Sequence, residues 1–195
     1  MCTPDGTKCV QCNDALDCAT GEKCKNQTCV PDCEAQGCAS DLGPKGTECD
    51  TARIIGRLDA LAGKLVKGDT TYSGNDDDLW SGGSVCYDAE SDDFYRIWLK
   101  AGDTLDVTVT PLDSFFDVML KLYKGISCAG DTTTLIGCFH KGGDGKADAF
   151  SYKAVDEGWY TIVVDGRYAF EEDQDWGEYE LLVKLTCPQT GCCCL

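Results

Sequence analysis

The amino-acid sequence predicts an all-β protein: an antiparallel two-sheet sandwich preceded by a small disulfide-rich module. Two observations carry that prediction. Eight cysteines, Cys2, Cys9, Cys12, Cys18, Cys24, Cys29, Cys33 and Cys38, crowd the first forty positions of a chain with 16 cysteines in 195 residues. After about residue 48 they thin out, and apolar residues alternate with their neighbours at the period of a β-strand, between Gly- and Asp-rich turns. Such thiol density suits an oxidising compartment, so the expected location is extracellular or at the cell surface.

Residues 1–47 form the head. Between its cysteines lie Pro4, Gly6, Gly21, Pro31, Gly37 and polar residues, too few apolar side chains for a core of its own. Disulfides closing short loops would supply the stability, roughly 3 kcal/mol each in the chain-entropy picture. Zinc is the competing reading, because Cys9 and Cys12 have ligand spacing. A second close pair is missing, which favours disulfides.

Residues 48–187 form the sandwich. Tyr95, Ile97 and Leu99 alternate with Phe94, Arg96 and Trp98. Leu105, Val107 and Val109 alternate with Asp106, Thr108 and Thr110. Phe116, Val118, Leu120 and Leu122 follow, then Tyr160, Ile162 and Val164, then Tyr179, Leu181, Val183 and Leu185. Turn signals stand at Lys100–Asp103, Gly142–Gly145, Glu157-Gly158 and Asp165-Gly166. One apolar face per strand describes sheets packed face to face. Thr51 to Leu61 is the one helical candidate, but Gly56 and β-branched Ile54-Ile55 favour an opening strand and a loop. Residues 188–195 are a cysteine-rich tail ending in Cys192, Cys193 and Cys194.

The ordered motifs resemble a known family. They are Asp93-Phe94-Tyr95 through Ala101-Gly102-Asp103, then Phe116-Asp117 through Leu122-Tyr123, then Gly158-Trp159-Tyr160, then Gly177-Glu178-Tyr179-Glu180-Leu181. In that order they resemble the bacterial pre-peptidase C-terminal domain, in the cysteine-bearing form of myxobacterial surface proteins. The head resembles small Dickkopf-like cysteine-rich repeats. The resemblance implies a jelly-roll sandwich that accompanies enzymes rather than acting as one. It also implies a bridge between Cys128 and Cys138. That would leave Cys49, Cys86 and Cys187, an odd number, so another bridge would cross a domain or subunit boundary or leave a thiol.

Charge narrows the function. Asp+Glu number 34 against Lys+Arg 17, a formal net charge of -17. Such a surface repels nucleic-acid backbones and anionic lipid. No stretch approaches the ~20 apolar residues of a membrane span. The single histidine, His140, stands in a turn, where a lone histidine is ordinarily solvated, and no Gly-x-Ser-x-Gly elbow exists. The expectation is a protein that is not an enzyme.

Calcium is the stronger site hypothesis, since hard cations want clustered oxygen ligands. The family resemblance implies a site made by Glu90 and Asp93 with acids at the domain start, here Glu48 and Asp50. Cys49 interrupts the latter pair. Trp98 and Trp159 point away from the core by the alternation, and Tyr168 and Trp176 lie in loops. Together they are the candidate ligand-binding aromatics, although packing under loops or against the head would also account for them. Two function classes follow. One is a non-catalytic secreted or cell-surface binding and adhesion module, calcium-stabilised, that recognises polysaccharide or protein. The other is a structural subunit, a homo-oligomer cross-linked through its terminal cysteines into an extracellular assembly or filament.

Overall fold

The computed structural model describes residues 22–25, 28–31, 46, 51–74, 91–126, 133–167 and 176–188. In the head, strands β1 (Glu22–Lys25) and β2 (Thr28–Pro31) pair antiparallel, with Cys24 opposite Cys29 in register. The sandwich is built from β3 (Arg53–Ile54), α1 (Arg57–Ala62), β4 (Lys64–Asp69), β5 (Asp93–Leu99), β6 (Thr104–Pro111), β7 (Val118–Lys124), β8 (Leu135–Phe139), β9 (Asp148–Lys153), β10 (Gly158–Gly166) and β11 (Glu178–Thr186).

One sheet has the order β4-β11-β6-β9 and the other β3-β5-β10-β7-β8. From β4 onward each connection changes sheet, except that β7 pairs directly with β8. This interleaving is the jelly-roll arrangement. The pairs among β4 to β11 are antiparallel, while β3 runs parallel to β5 at its edge. The predicted inner positions form the core: Tyr95, Ile97 and Leu99 on β5, Leu105, Val107 and Val109 on β6, and Tyr179, Leu181 and Val183 on β11 are all fully buried.

Three local expectations change. The segment after β3 is a short helix, not a loop. The chain is still extended at Gly56 (φ -63°, ψ 136°), so the β-branched residues lie before α1, which starts at Arg57 among good helix formers. Asp165-Gly166 is not a turn but the end of β10, paired with Met119 and Val118. The alternate face of the five-stranded sheet is not polar and wet. Phe94, Met119, Tyr123, Thr161 and Val163 have no exposed surface there, and Phe94, Tyr123 and Val163 form a second apolar cluster with Leu135 and Cys138 packed against it. A sheet dry on both faces carries near-continuous apolar runs rather than strict alternation, as Val118-Met119-Leu120 and Ile162-Val163-Val164 do.

At one end of the sandwich a buried ion pair clamps α1 to the β5–β6 turn. Arg57 Nη2 donates to Asp103 Oδ1 at 3.0 Å, and Nη1 pairs with Oδ2. Asp103 also accepts the Lys100 N–H at 2.7 Å, and its backbone carbonyl accepts from Ala154 N at 2.8 Å. The Ala101-Gly102-Asp103 motif therefore places an aspartate whose carboxylate ties the turn to the helix and whose backbone carbonyl holds the β9–β10 loop. Replacing Asp103 with Ala leaves the Arg57 charge buried. Urea unfolding should show a loss of roughly 3–5 kcal/mol, and a change within 0.5 kcal/mol would rule the clamp out.

Candidate functional site

Strands β4, β6, β8 and β10 end where β5, β7, β9 and β11 begin, so the loops between them gather at the opposite end. Asp93, Asp117 and Asp148 all lie at this end, each at the start of its strand or just before it. Each is tied into the scaffold.

Asp93 sits at the end of a buried hydroxyl chain. Ser73 Oγ donates to its Oδ1 at 2.8 Å, and the Tyr179 hydroxyl donates to Oδ2 at 2.6 Å. Tyr179 has one phenolic proton, so the Tyr95 hydroxyl at 2.8 Å donates to it, and Arg53 Nη1 in turn donates to Tyr95 at 3.1 Å. The direction runs Arg53, Tyr95, Tyr179, Asp93, from guanidinium to carboxylate. The Tyr179 ring lies over Gly68, its partner on β4, where a Cβ would fall 2.1 Å from Cζ. Only glycine leaves that space. Burial raises the Tyr95 phenol, with the Asp93 charge adding to it. Burial raises Tyr179 well above its ordinary value, with Tyr95 and then Asp93 adding to it.

His140 is not solvated as the sequence suggests. Its Nε2 lies 2.8 Å from Asp117 Oδ1, and its side chain is 11% exposed. Asp148 Oδ1 accepts the backbone N–H groups of Lys141 and Gly142 at 2.7 and 2.9 Å. Gly145, at φ 65°, brings its N–H to the Phe116 carbonyl at 3.1 Å, close against the Ser114 backbone. The left-handed backbone and the close approach both call for glycine there.

Beside this scaffold lies an open groove lined by Thr71, Leu112, Asp113, Ser114, Gly177 and Glu178. Backbone bonds hold its three segments together: Thr70 N to Gly177 O at 3.1 Å and Leu112 N to Glu178 O at 2.7 Å. Asp113 Oδ1 accepts the Phe115 N–H at 2.9 Å and shapes the turn. Leu112 in its lining is 50% exposed, and large side chains next in sequence to its lining are exposed too: Tyr72 82%, Phe115 65% and Trp176 36%. Sequence reasoning found Trp176 but missed Tyr72, Leu112 and Phe115. The doublet Phe115-Phe116 was the available signal, since Phe116 is fully buried and its neighbour faces out.

The remaining predicted residues lie elsewhere. Trp98 and Trp159 are opposite each other in register and half-buried, in an edge-to-face contact with ring centroids 5.5 Å apart. Five residues of extended strand separate Trp98 from Asp93, roughly 16 Å. These two therefore do not join Trp176 in one platform. Cys138 is disulfide-bonded. Cys128, Glu48, Asp50, Glu90 and Tyr168 lie outside the described residues.

No family model matches the chain, and no curated protein matches it. Among solved structures it is similar to PliG from Aeromonas hydrophila, a periplasmic inhibitor of g-type lysozyme. There the identity is 15% and the TM-score 0.44, over 68% of this chain and 94% of that one. It is similar to the pre-peptidase C-terminal domain of a Bacillus anthracis collagenase, at 16% identity and TM-score 0.34, over 63% of this chain and 88% of that one. CorA of Methylomicrobium album BG8, a surface-associated copper-binding protein, is similar at 10% identity and TM-score 0.42, over 69% of this chain and 96% of that one.

The buried phenols set a pH dependence. The folded protein holds the protons of Tyr95 and Tyr179 above their ordinary value of about 10, so the unfolded chain ionises first. The stability they contribute is whole below about pH 10 and falls above it, by up to ~1.4 kcal/mol per pH unit for each phenol. Thermal melts from pH 8 to 11 should show that decline, and Tyr95→Phe with Tyr179→Phe should make it shallower, leaving the part set by Tyr160, whose phenol burial also raises. A wild-type profile unchanged through pH 11 would contradict the buried chain.

Proposed function

We propose that this chain is a non-catalytic extracellular or cell-surface binding module that recognises polysaccharide or protein with the loop end of its jelly roll. The observation that supports this reading is the open groove lined by Leu112, Asp113 and Glu178 among others, with the exposed Tyr72 and Phe115 and the partly exposed Trp176 each next in sequence to a lining residue. Aromatic faces stack on sugar rings or on protein side chains, and carboxylates accept hydrogen bonds from sugar hydroxyls or basic groups. Among the described residues at this end, His140 is held by Asp117 and Asp93 by two hydroxyls, so both serve the scaffold of the loops. A net charge of -17 favours neutral or basic partners.

Binding should be sought on glycan arrays and on a panel of cell-surface proteins. For any ligand found, Phe115→Ala and Trp176→Ala should each weaken binding about tenfold. Stability should change little in Phe115→Ala, whose side chain is largely exposed, whereas Trp176→Ala also loses packing, so its affinity is read on protein shown by its melt to be folded. Full affinity in both variants would remove the groove from consideration.

Calcium would brace the same end. In this proposal Asp93 contributes a carboxylate to an ion shared with Glu48, Asp50 and Glu90. The Ser73 and Tyr179 hydroxyls, one on each oxygen, fix the Asp93 carboxylate at this end. Chelator should then lower the melting temperature and added calcium restore it. Indifference to both would exclude the site. The second function class, a disulfide-linked assembly, rests on the cysteine-rich ends, and a ladder on non-reducing gels that collapses on reduction would favour it over a monomeric binder.

A further inference from the structure

The outer face of the five-stranded sheet holds a charged pair with no exposed surface. Lys121 lies on β7 and Asp165 on β10, adjacent strands in the interior of that sheet. Lys121 is opposite Val163 and Asp165 is opposite Met119, so the two side chains meet diagonally across the pair. Nζ lies 2.7 Å from Oδ2, and both side chains are 0% exposed. Most of their neighbours on this face are apolar; Thr161 shares it two residues before Val163, Cys138 pairs with Lys121 from β8, and the fully buried Asp92 stands two residues before Phe94. Met119 and Tyr123 flank Lys121 along β7, Val163 stands opposite it, and Phe94 pairs with Val163 from β5.

A buried ion pair in such a layer gains little, since desolvation offsets most of the attraction. A lysine amine held against a carboxyl group in a dry site also has a chemical outlet. We propose that Lys121 and Asp165 condense to form an intramolecular isopeptide bond that ties β7 to β10. One proton passes from the ammonium to the carboxylate, giving a neutral amine and a carboxylic acid. The amine lone pair attacks Cγ and forms the C–N bond. The Cγ–OH bond breaks, and the hydroxyl leaves with a second amine proton as water. Atoms and charge balance, and the step needs no oxidant, reductant or co-reactant.

Three features of the site favour the reaction. The strand register fixes amine and carboxyl in contact, and near-attack separations of about 3–3.5 Å bring large effective concentrations. The product is a neutral amide, so the cost of keeping two charges in an apolar layer disappears. The absence of exposed surface also keeps bulk water from hydrolysing the bond. The device would give a secreted module a covalent staple that survives reducing agents, in the half of the sandwich that carries Asp93 at its loop end.

The test is the mass of the full-length protein after complete reduction and alkylation of its cysteines. The expected mass is lower than that of the alkylated sequence by one water. Protease digestion should give a branched peptide joining the Lys121 and Asp165 segments, with no tryptic cleavage after Lys121. Lys121→Met and Asp165→Ala should each restore the full mass. The wild-type measurement stands even where a variant fails to fold. A wild-type protein at full mass, or a water loss that maps elsewhere, would overturn the proposal.

Discussion

Over most of their length strands β5, β7 and β10 are buried on both faces, with Arg96, Trp98, Lys124 and Trp159 reaching solvent, and the polar side chains in the dry part need partners inside the protein. That requirement shapes much of the structure. Lys121 is matched by Asp165. Thr161 Oγ1 reaches the Gly125 carbonyl at 2.8 Å. Asp93, at the first position of β5, receives the hydroxyls of Ser73 and Tyr179 and so connects this sheet to the β4–β11 edge of the other. The inner core holds the two sheets together by apolar burial. The polar pairs determine which register and which loops are compatible with it.

The two ends of the sandwich divide the work. At one end, Arg57 and Asp103 gather α1 and two turns into a closed clamp. At the other, Asp93, Asp117 and Asp148 hold the loops from beneath, while Tyr72, Leu112, Phe115 and Trp176 stand out above them. A rigid floor under exposed aromatics is an arrangement suited to recognition, because the anchors lose little freedom on binding.

The inner faces of five strands were legible in the sequence because period-2 alternation reports burial of one face directly. Tyr95-Ile97-Leu99 and Tyr179-Leu181-Val183 both read that way and both lie in the core. Strands β4, β8 and β9 carry weaker patterns. Lys64–Asp69 has Gly68 where the Tyr179 ring needs room, a reason that belongs to the partner strand and not to β4 itself. The dry outer face was hidden for a related cause: a lysine at position 121 reads as solvent-facing until Asp165 is seen beside it. At the loop end, Asp93 stood out through its place in a motif. Its hydroxyl partners come from residues 20 and 86 positions away, a distance no local pattern spans. His140 failed in the same way, since Asp117 is 23 residues before it.

The central claim is that the outer face of the five-stranded sheet around Lys121, where β7 and β10 pair, is as dry as the core. Timed acylation of lysines in the native protein, read by peptide mass spectrometry, tests it most directly. Lys67, three-quarters exposed, should react at the rate of a free amine, while Lys121 on β7 should remain unmodified until the protein unfolds or indefinitely if it is amide-bonded. Acylation of Lys121 in the folded protein at the rate of Lys67 would contradict the account.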